Sequence, residues 1–545
     1  MADKPTDRSP PTKEDLHRIP DRDDGGLKKL SDEAKDRLSE CRRQKTEWDL
    51  DIRESYFFAA PHRARDIRSG QPPSQSKPTD GAEQQTGIAT ELARDFVTEI
   101  VNAFMPQAEP WAERRPGIFL PDEIKAEAKK QITLQDPTIF DAIRASNFYE
   151  VVPMAFNPDL AVGTAAVWID DTRPAENIVC QAIPLRELEI NVGPFGDIDD
   201  RFVVRHTKNR HVQAVLGDVE IPADCAKKIK DKPEEQTEVR WGFWRLWDRL
   251  DDVWWQHVVM IKDEVIHEAK LRGVGACPLI PMRFNPSPEW AYGSGPLIEA
   301  LPDLRLLDSL EGDKIDAIDL KLRPPVGFPD DSFAAVENGI ESASAYPIRP
   351  GSEGAIKPIY EGGDLNPAMY ETAVIEDRLR RRFFLNFPEQ RGKTPPTLGQ
   401  WLDEMARAQR QIGTPGMPFW REGPAQIFLR FKYLLEARGV IAPIMVDGKT
   451  VSLEPYNPAQ RAAEQQEVMM AARFLEIAGP TWPEEFRVIV DGEASMQAIA
   501  EKMRVGLIKF RDPRQQQAAL AMVSQLIEGR QRVNPAGAAA AAQGM

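Results

Sequence analysis

The sequence predicts an α+β protein that is mainly helical, and three observations support this class. Apolar residues recur with a helical period outside the central region, as in the steps of four from Ile88 to Phe104. Between about 155 and 284, β-branched and aromatic runs predict strands. Helical segments over 297–322 and 367–384 flank a turn-rich insert. This order predicts two antiparallel rods that carry a small domain at their far end.

The first rod has an unusual distribution of apolar residues. Pro302 predicts the start of the regular helix, which would extend to Lys321 over about 30 Å. On a helical wheel, one apolar arc holds Leu304, Leu307, Ile315, Ile318 and Leu322, and a nearly opposite arc holds Leu306, Leu310 and Leu320. Asp308, Asp316 and Asp319 form an acidic edge between the arcs. Two arcs suit a helix between two neighbours, as in a ring of identical subunits, but equally a helix buried between two layers of one domain.

The N-terminal part predicts a tail and two helices. Residues 1–26 are polar, charged and proline-rich, which predicts disorder. Ser31 is the predicted cap of a helix that ends near Ala60, and the second helix ends before Pro106. In the strand region, five tryptophans crowd into one predicted hairpin: Trp241, Trp244, Trp247, Trp254 and Trp255. Such a cluster can stack nucleobases, but packing of a sheet against helices is the favoured interpretation.

Further helices follow the second rod. The segment 386–397 is a predicted loop that carries two cations, Arg391 and Lys393. A helix over 398–411 is interrupted at 413–418 and resumes from about Trp420 to Arg438, with Gly439 as its C-terminal stop. Further predicted helices cover 457–479, 492–503 and 512–528, and 530–545 is a low-complexity tail.

Composition excludes several classes of protein. The 86 acidic and 70 basic residues give a net charge of −16, which disfavours simple DNA coating and is compatible with solubility alone. The four cysteines contain no C-x-x-C pair, so neither a zinc site nor a disulfide framework is expected, and a reducing compartment is favoured. The sequence contains no signal-peptide pattern and no apolar run of about 20 residues for a membrane span.

No catalytic, cofactor or metal motif is complete. Gly392-Lys393-Thr394 ends like a phosphate-binding loop, but Phe387 stands where the first glycine is required. The six histidines form no H-E-x-x-H motif, and Gly293-Ser294-Gly295 fits neither a dinucleotide fingerprint nor a nucleophile elbow. We therefore expect a protein that is not an enzyme and has no cofactor.

Several runs in fixed order carry a family resemblance: Pro281-Met282-Arg283-Phe284, Tyr292-Gly293-Ser294-Gly295-Pro296, Ala300-Leu301-Pro302-Asp303 and Arg323-Pro324-Pro325. From about Leu30 to about Gly529, the chain resembles the portal protein, or head-to-tail connector, of short-tailed T7-like bacteriophages. No single run is diagnostic, and the order of the runs is the strongest part of the match.

The resemblance implies a portal fold with named regions, which follow one another along the chain. These are a disordered tail (1–26), a wing (27–288), a first stem helix (289–323), a clip (324–366), a second stem helix (367–385), a tunnel loop (386–397), a kinked channel helix with wing return (398–450), a helical crown (451–529) and a second tail (530–545). The prolines at 395–396 and 413–418 depart from the continuous helix of the family, which leaves the loop and kink positions open.

The resemblance also implies function and partners. The expectation is a ring of about twelve subunits at one capsid vertex of the virion, made in the host cytoplasm, through which double-stranded DNA is packaged and ejected. Expected partners are the terminase large subunit, capsid and scaffold proteins, and tail adaptor or tail tube proteins, with no membrane. Arg391 and Lys393 are the expected DNA contacts, and Asp308, Asp316 and Asp319 the non-adhesive stem face. The alternatives are another head–tail adaptor ring and a DNA-processing enzyme.

Overall fold

The computed structural model divides into two units, Met1–Pro458 and Ala459–Met545. The ranges that it describes are 24–63, 84–114, 122–172, 177–248 apart from 218, 220 and 222, 252–322, 326–327, 357–358, 366–385, 416–454 apart from 447–448 and 451–452, 467–477, 495–496 and 498–499. Helices and antiparallel sheets both occur in the first unit, so the α+β class is confirmed.

The chain begins with helices α1 (Asp24–Glu47), α2 (Asp49–Ala59) and α3 (Ile88–Phe104). The predicted helix from Ser31 to Ala60 is thus two helices, and Ser31 does not cap it. The Ser31 hydroxyl instead donates to the carbonyl of Asp263, 2.8 Å away, and fastens α1 to a sheet. The prediction for α3, including its end before Pro106, is confirmed.

A short strand and three helices come next: β1 (Glu113–Arg114), α4 (Asp122–Ala145), α5 (Phe148–Phe156) and α6 (Asp159–Val162). These three helices were not predicted from the sequence. Prolines inside α4 and α5, Pro137 and Pro153, obscure the helical pattern there.

The central region contains two antiparallel sheets. The three-stranded sheet has the order β3 (Val179–Ile183), β2 (Thr164–Asp170), β9 (Leu279–Arg283). The five-stranded sheet consists of β4 (Leu188–Val192), β5 (Ile198–Lys208), β6 (Gln236–Arg245), β7 (Trp254–Ile261) and β8 (Glu264–Arg272), paired in chain order. Helices α7 (Asn209–Leu216) and α8 (Ala223–Asp231) lie between β5 and β6 in the chain.

Successive side chains of a strand point to opposite faces of the sheet, and both faces of the five-stranded sheet carry apolar residues. On one face, Trp244 packs in a small core with Leu38 and Cys41 of α1. On the other face, Trp241 and Phe243 join the main core of the protein. The tryptophans of the predicted hairpin therefore pack within the fold: Trp241, Trp244 and Trp255 are buried, and arginine side chains lie over Trp247 and Trp254. The packing interpretation is confirmed for these residues.

The two rods are α9 (Pro296–Leu322) and α10 (Asn366–Arg382), hereafter the first and second rod. The prediction that the first rod begins at Pro302 is wrong, because Pro302 lies inside the helix. The helix begins at Pro296 and continues through Pro302, which has no N–H to donate to the carbonyl of Ile298. Short strands β10 (Val326–Gly327) and β11 (Lys357–Pro358) pair antiparallel between the rods.

After the second rod, residues 416–422 form the described part of α11, and α12 spans Pro424–Ala437. The two helices are separated by Gly423, with Pro424 at the first turn of α12. Gly439 has a left-handed φ of 71°, so the predicted stop is confirmed. Strands β12 (Met445–Val446), β13 (Lys449–Thr450) and β14 (Leu453–Glu454) follow, and β14 pairs with β1.

In the second unit, residues 467–477 are helical, within the predicted helix 457–479, and 495–496 and 498–499 are also helical. The predicted helix 512–528 and both predicted tails, apart from 24–26, lie outside the described residues. None of the described helices is long and apolar enough to span a membrane.

Candidate functional site: the paired rods

The first rod is anchored in the main core by its N-terminal half. Leu297, Leu301, Leu304 and Leu307 are at most 3 % exposed. Ile375 and Leu379 of the second rod, and Phe383 just after its end, are fully buried in the same core. The two helices therefore share one apolar seam at the base of the pair.

A glycine cluster seats the first rod against the three-stranded sheet. The backbone N–H of Gly295 donates to the carbonyl of Val162, and the N–H of Phe284 donates to that of Gly163. A Cβ atom on Gly295 would lie 2.1 Å from the carbonyl oxygen of Ala161, so no larger residue fits. The glycines of the run Tyr292-Gly293-Ser294-Gly295 thus allow its backbone to lie close to the backbone of α6, in addition to allowing a turn.

Charged side chains join the rods near their base. Asp303 of the first rod is 7 % exposed, and it accepts a hydrogen bond from Arg378 of the second rod at 3.0 Å. Its other carboxylate oxygen forms an ion pair with Arg382, with an N···O distance of 3.0 Å. Arg382 also donates to the carbonyl of Glu299 at 2.7 Å. Further out, Lys314 donates to Thr372 at 3.1 Å. Asp303 and Arg378 are 75 residues apart in the chain, so no local spacing indicates that they pair.

The C-terminal half of the first rod presents an apolar face that the described chain does not cover. Ile315, Ile318 and Leu322 are 51, 45 and 75 % exposed. They are the part of the predicted arc that continues from Leu304 and Leu307, which are buried. We call these three residues the uncovered stripe. The second arc is also only partly covered, since Leu306 is exposed and Leu310 is half-buried.

The three predicted acidic residues do not share one role. Asp308 accepts hydrogen bonds from the backbone N–H groups of Gln85 and Thr86, at 2.8 and 3.1 Å, just before α3. It therefore holds the chain that leads into α3. Asp316 and Asp319 lie on the exposed part of the rod, beside the uncovered stripe. Arg391 and Lys393 lie outside the described residues.

A buried ion pair connects the three-stranded sheet to α11. Arg283 of β9 and Glu422 are 2 and 8 % exposed at their side chains, and Nε of Arg283 donates to the Glu422 carboxylate at 3.0 Å. Arg283 also donates to the carbonyl of Gly196 at 2.8 Å. The two partners are 139 residues apart in the chain, so no local spacing could have indicated the pair.

The described residues contain no group of three or more His, Cys, Asp or Glu side chains that could hold a metal ion. Burial raises the pKa of the Cys277 thiol and of the Cys180 thiol, the latter to about 12, so neither is an activated nucleophile. The fold and the candidate site thus define an α+β protein organised around a pair of packed helices.

Comparison with known proteins identifies the family. Residues 31–505 match the family model described as "Bacteriophage head to tail connecting protein", so the chain belongs to that family. The family expectation from the sequence is confirmed at this level, and the short-tailed, T7-like subgroup stays a prediction. No curated protein matches the chain significantly.

Two solved structures from gene transfer agent (GTA) particles are similar to the chain. A chain from the virion of a native GTA particle has 13 % identity and a TM-score of 0.39, covering 80 % of this chain and 97 % of its own length. A chain from the neck of an empty GTA particle has 11 % identity and the same TM-score, covering 79 and 95 % respectively.

Proposed function

We propose that the chain is a portal protein of the short-tailed, T7-like type. Copies of it close into a ring of about twelve subunits at one capsid vertex, and double-stranded DNA passes through the ring during packaging and ejection. Membership of the head-to-tail connecting family supports the location between head and tail. The wing, stem, clip, tunnel-loop and crown boundaries given above from the sequence belong to this proposal, as does dependence on a terminase for energy.

The observation that carries the ring is the uncovered stripe. One apolar arc of the first rod is buried by its own chain in its first half and exposed in its second half. Contiguous exposed apolar surface on a rigid helix marks a protein contact. A neighbouring copy, rotated about a central axis, can cover the uncovered stripe with a different part of its own surface. Such a heterologous interface, repeated from copy to copy, closes into a ring.

The channel mechanism is electrostatic. Asp316 and Asp319 place negative charge on the exposed part of the rod, and facing the lumen they repel the phosphates and prevent adhesion. Arg391 and Lys393 in the tunnel loop make a few exchangeable phosphate contacts that a moving duplex can leave. The terminase docks to the ring during packaging, capsid and scaffold proteins surround it, and tail adaptor or tube proteins replace the terminase afterwards.

A charge placed in the uncovered stripe tests the ring. We expect Ile318→Asp to leave the subunit folded and to prevent annular particles, because the neighbour would have to bury an unpaired carboxylate. The matched control is Val215→Asp on α7, where Val215 is 41 % exposed and Ile318 is 45 % exposed. Electron microscopy and native mass spectrometry give the readout. Rings of Ile318→Asp as abundant as those of the unmodified protein would contradict the proposal.

A further inference from the structure

A cavity of about 200 Å³ lies beside the tip of the β4–β5 hairpin, and we call it the hairpin cavity. Residues from β5, the end of β6, the β8–β9 connection and α11 line it. Its walls include apolar groups such as Val253, Trp255 and Ile280, together with the arginines Arg201, Arg245 and Arg421. Neither the rods nor the proposed channel accounts for this site.

Two of its arginines are held in place without a carboxylate partner. The Arg201 guanidinium lies 4.4 Å from the ring centroid of Trp255, and that of Arg245 lies 4.3 Å from that of Trp247. Arg201 donates to the carbonyls of Ile198 and Leu279, at 3.0 and 2.9 Å. In the part of the chain that the structure describes, neither arginine forms an ion pair. Guanidinium groups stacked on aromatic rings are well prepared to bind carboxylate or phosphate.

Asp199, an acidic residue of the cavity wall, has an unsatisfied hydrogen-bond acceptor. Asp199 is 6 % exposed, and one carboxylate oxygen accepts from the Trp247 indole N–H at 2.7 Å. Its other oxygen, Oδ1, is buried and has no hydrogen-bond partner among the described residues. Burial is the main cause that raises the pKa of Asp199, and the charges of Asp200 and Asp197 add to it, whereas the Trp247 hydrogen bond and Arg245 lower it. A raised pKa favours the protonated carboxyl group, which repels an anion less than the carboxylate does.

We propose that the hairpin cavity is an oxyanion site in which Arg201 and Arg245 hold a carboxylate or phosphate group. Arg421, whose partner Asp197 is 2.8 Å away at the rim, closes one side of the site. The anion is either free in solution or an acidic side chain of another copy of this chain. The site itself does not depend on the proposed channel function.

Calorimetric titration of the purified protein with inorganic phosphate and with succinate tests the site. We expect binding of at least one of them, and a loss of affinity of about ten-fold or more in Arg245→Gln, because a charged hydrogen-bonding partner is removed. Asp199→Asn should bind equally or more tightly, because the amide cannot carry the negative charge that would repel the anion. The matched control is Arg272→Gln: Arg272 also stacks on a tryptophan, but it pairs with Asp252 and lies outside the cavity.

The source of the anion follows from comparing dissociated subunits with assembled particles. If both bind the probe, the natural ligand is a free anion. If only dissociated subunits bind it, an acidic side chain of a neighbouring copy occupies the cavity in the assembly. Absence of binding in both forms would overturn the proposal and leave a cavity that holds only water or a cation. The reverse pattern, with binding weakened in Asp199→Asn and unchanged in Arg245→Gln, would overturn it as well.

Discussion

Asp303 is the single residue that most directly couples the two rods, because it forms ion pairs with both Arg378 and Arg382. These arginines are 47 and 40 % exposed at their side chains, so solvent screens the pairs in part. We expect Asp303→Asn to lower the free energy of unfolding by about 1–2 kcal/mol. Asp313→Asn, at an exposed position of the same rod, should change it by less than about 0.5 kcal/mol. Urea unfolding measures both, and equal effects of the two substitutions would contradict this role for Asp303.

A second residue, His257, makes the fold sensitive to acid. Burial, followed by the charges of His267 and Arg430, lowers its pKa to about 3. This folded-state pKa lies below the unfolded value of about 6.5. The contribution of neutral His257 to the free energy of unfolding is therefore complete above pH 6.5 and decreases as the pH falls towards 3. When the pH falls from 7.5 to 5.5, the free energy of unfolding of the unmodified protein should decrease by about 1.4 kcal/mol more than that of His257→Phe.

Urea unfolding at these two pH values measures the effect of His257. The control is His211→Phe, at an exposed position of α7, which should keep the pH dependence of the unmodified protein. An unchanged pH dependence in His257→Phe would show that His257 is not the group that titrates.

At the scale of elements, alanine substitutions at two glycines are expected to change stability in opposite directions. Gly295 directly precedes the first rod, and Gly312 lies within it. Gly295→Ala would force a Cβ atom against the carbonyl of Ala161 and should destabilise the protein by about 3 kcal/mol or more. Gly312 lies in the first rod, and the nearest atom to its added Cβ is Cγ of Gln85 at 3.5 Å. Gly312→Ala should therefore stabilise the helix by about 0.5–1 kcal/mol. Thermal unfolding compares the two, and a tolerated Gly295→Ala would mean that the rod does not need this close approach.

Elements whose apolar residues follow an uninterrupted periodic pattern were predictable from the sequence. The steps of four in α3, the β-branched runs of the sheets and the glycine after α12 each gave the correct element. Helices α4 and α5 were missed because interior prolines conceal their pattern. The start of the first rod was misplaced for a related reason, since Pro302 resembles a helix start although Pro296 supplies it.

Partners of the candidate site were less predictable than its helices. The wheel identified the arc that contains the uncovered stripe, but it could not show where along the rod the arc leaves the core. Asp308 was assigned to an exposed acidic face, and its backbone partners Gln85 and Thr86 lie 223 and 222 residues away in the chain. Contacts between residues so far apart arise from the fold and leave no local spacing signal.

At the scale of the whole molecule, the tunnel-loop hypothesis depends on Arg391 and Lys393. We expect the double substitution to glutamine to leave ring assembly intact and to reduce DNA packaging or genome retention, because weak phosphate contacts are lost. Arg43→Gln, at an exposed position of α1, is the matched control and should package normally. In vitro packaging and nuclease protection of the genome measure the outcome. Normal packaging and retention in the double variant would contradict the assignment of these residues.

The pairing of β10 with β11 has a consequence for how such proteins diversify. Val326 lies opposite Pro358 and Gly327 opposite Lys357, so the two strands that flank an intervening sequence of 29 residues lie side by side. Segments of different length or sequence can therefore be exchanged there, by recombination between genomes or by engineering, while both rods keep their seam. The paired strands make this position a natural boundary for a transferable module.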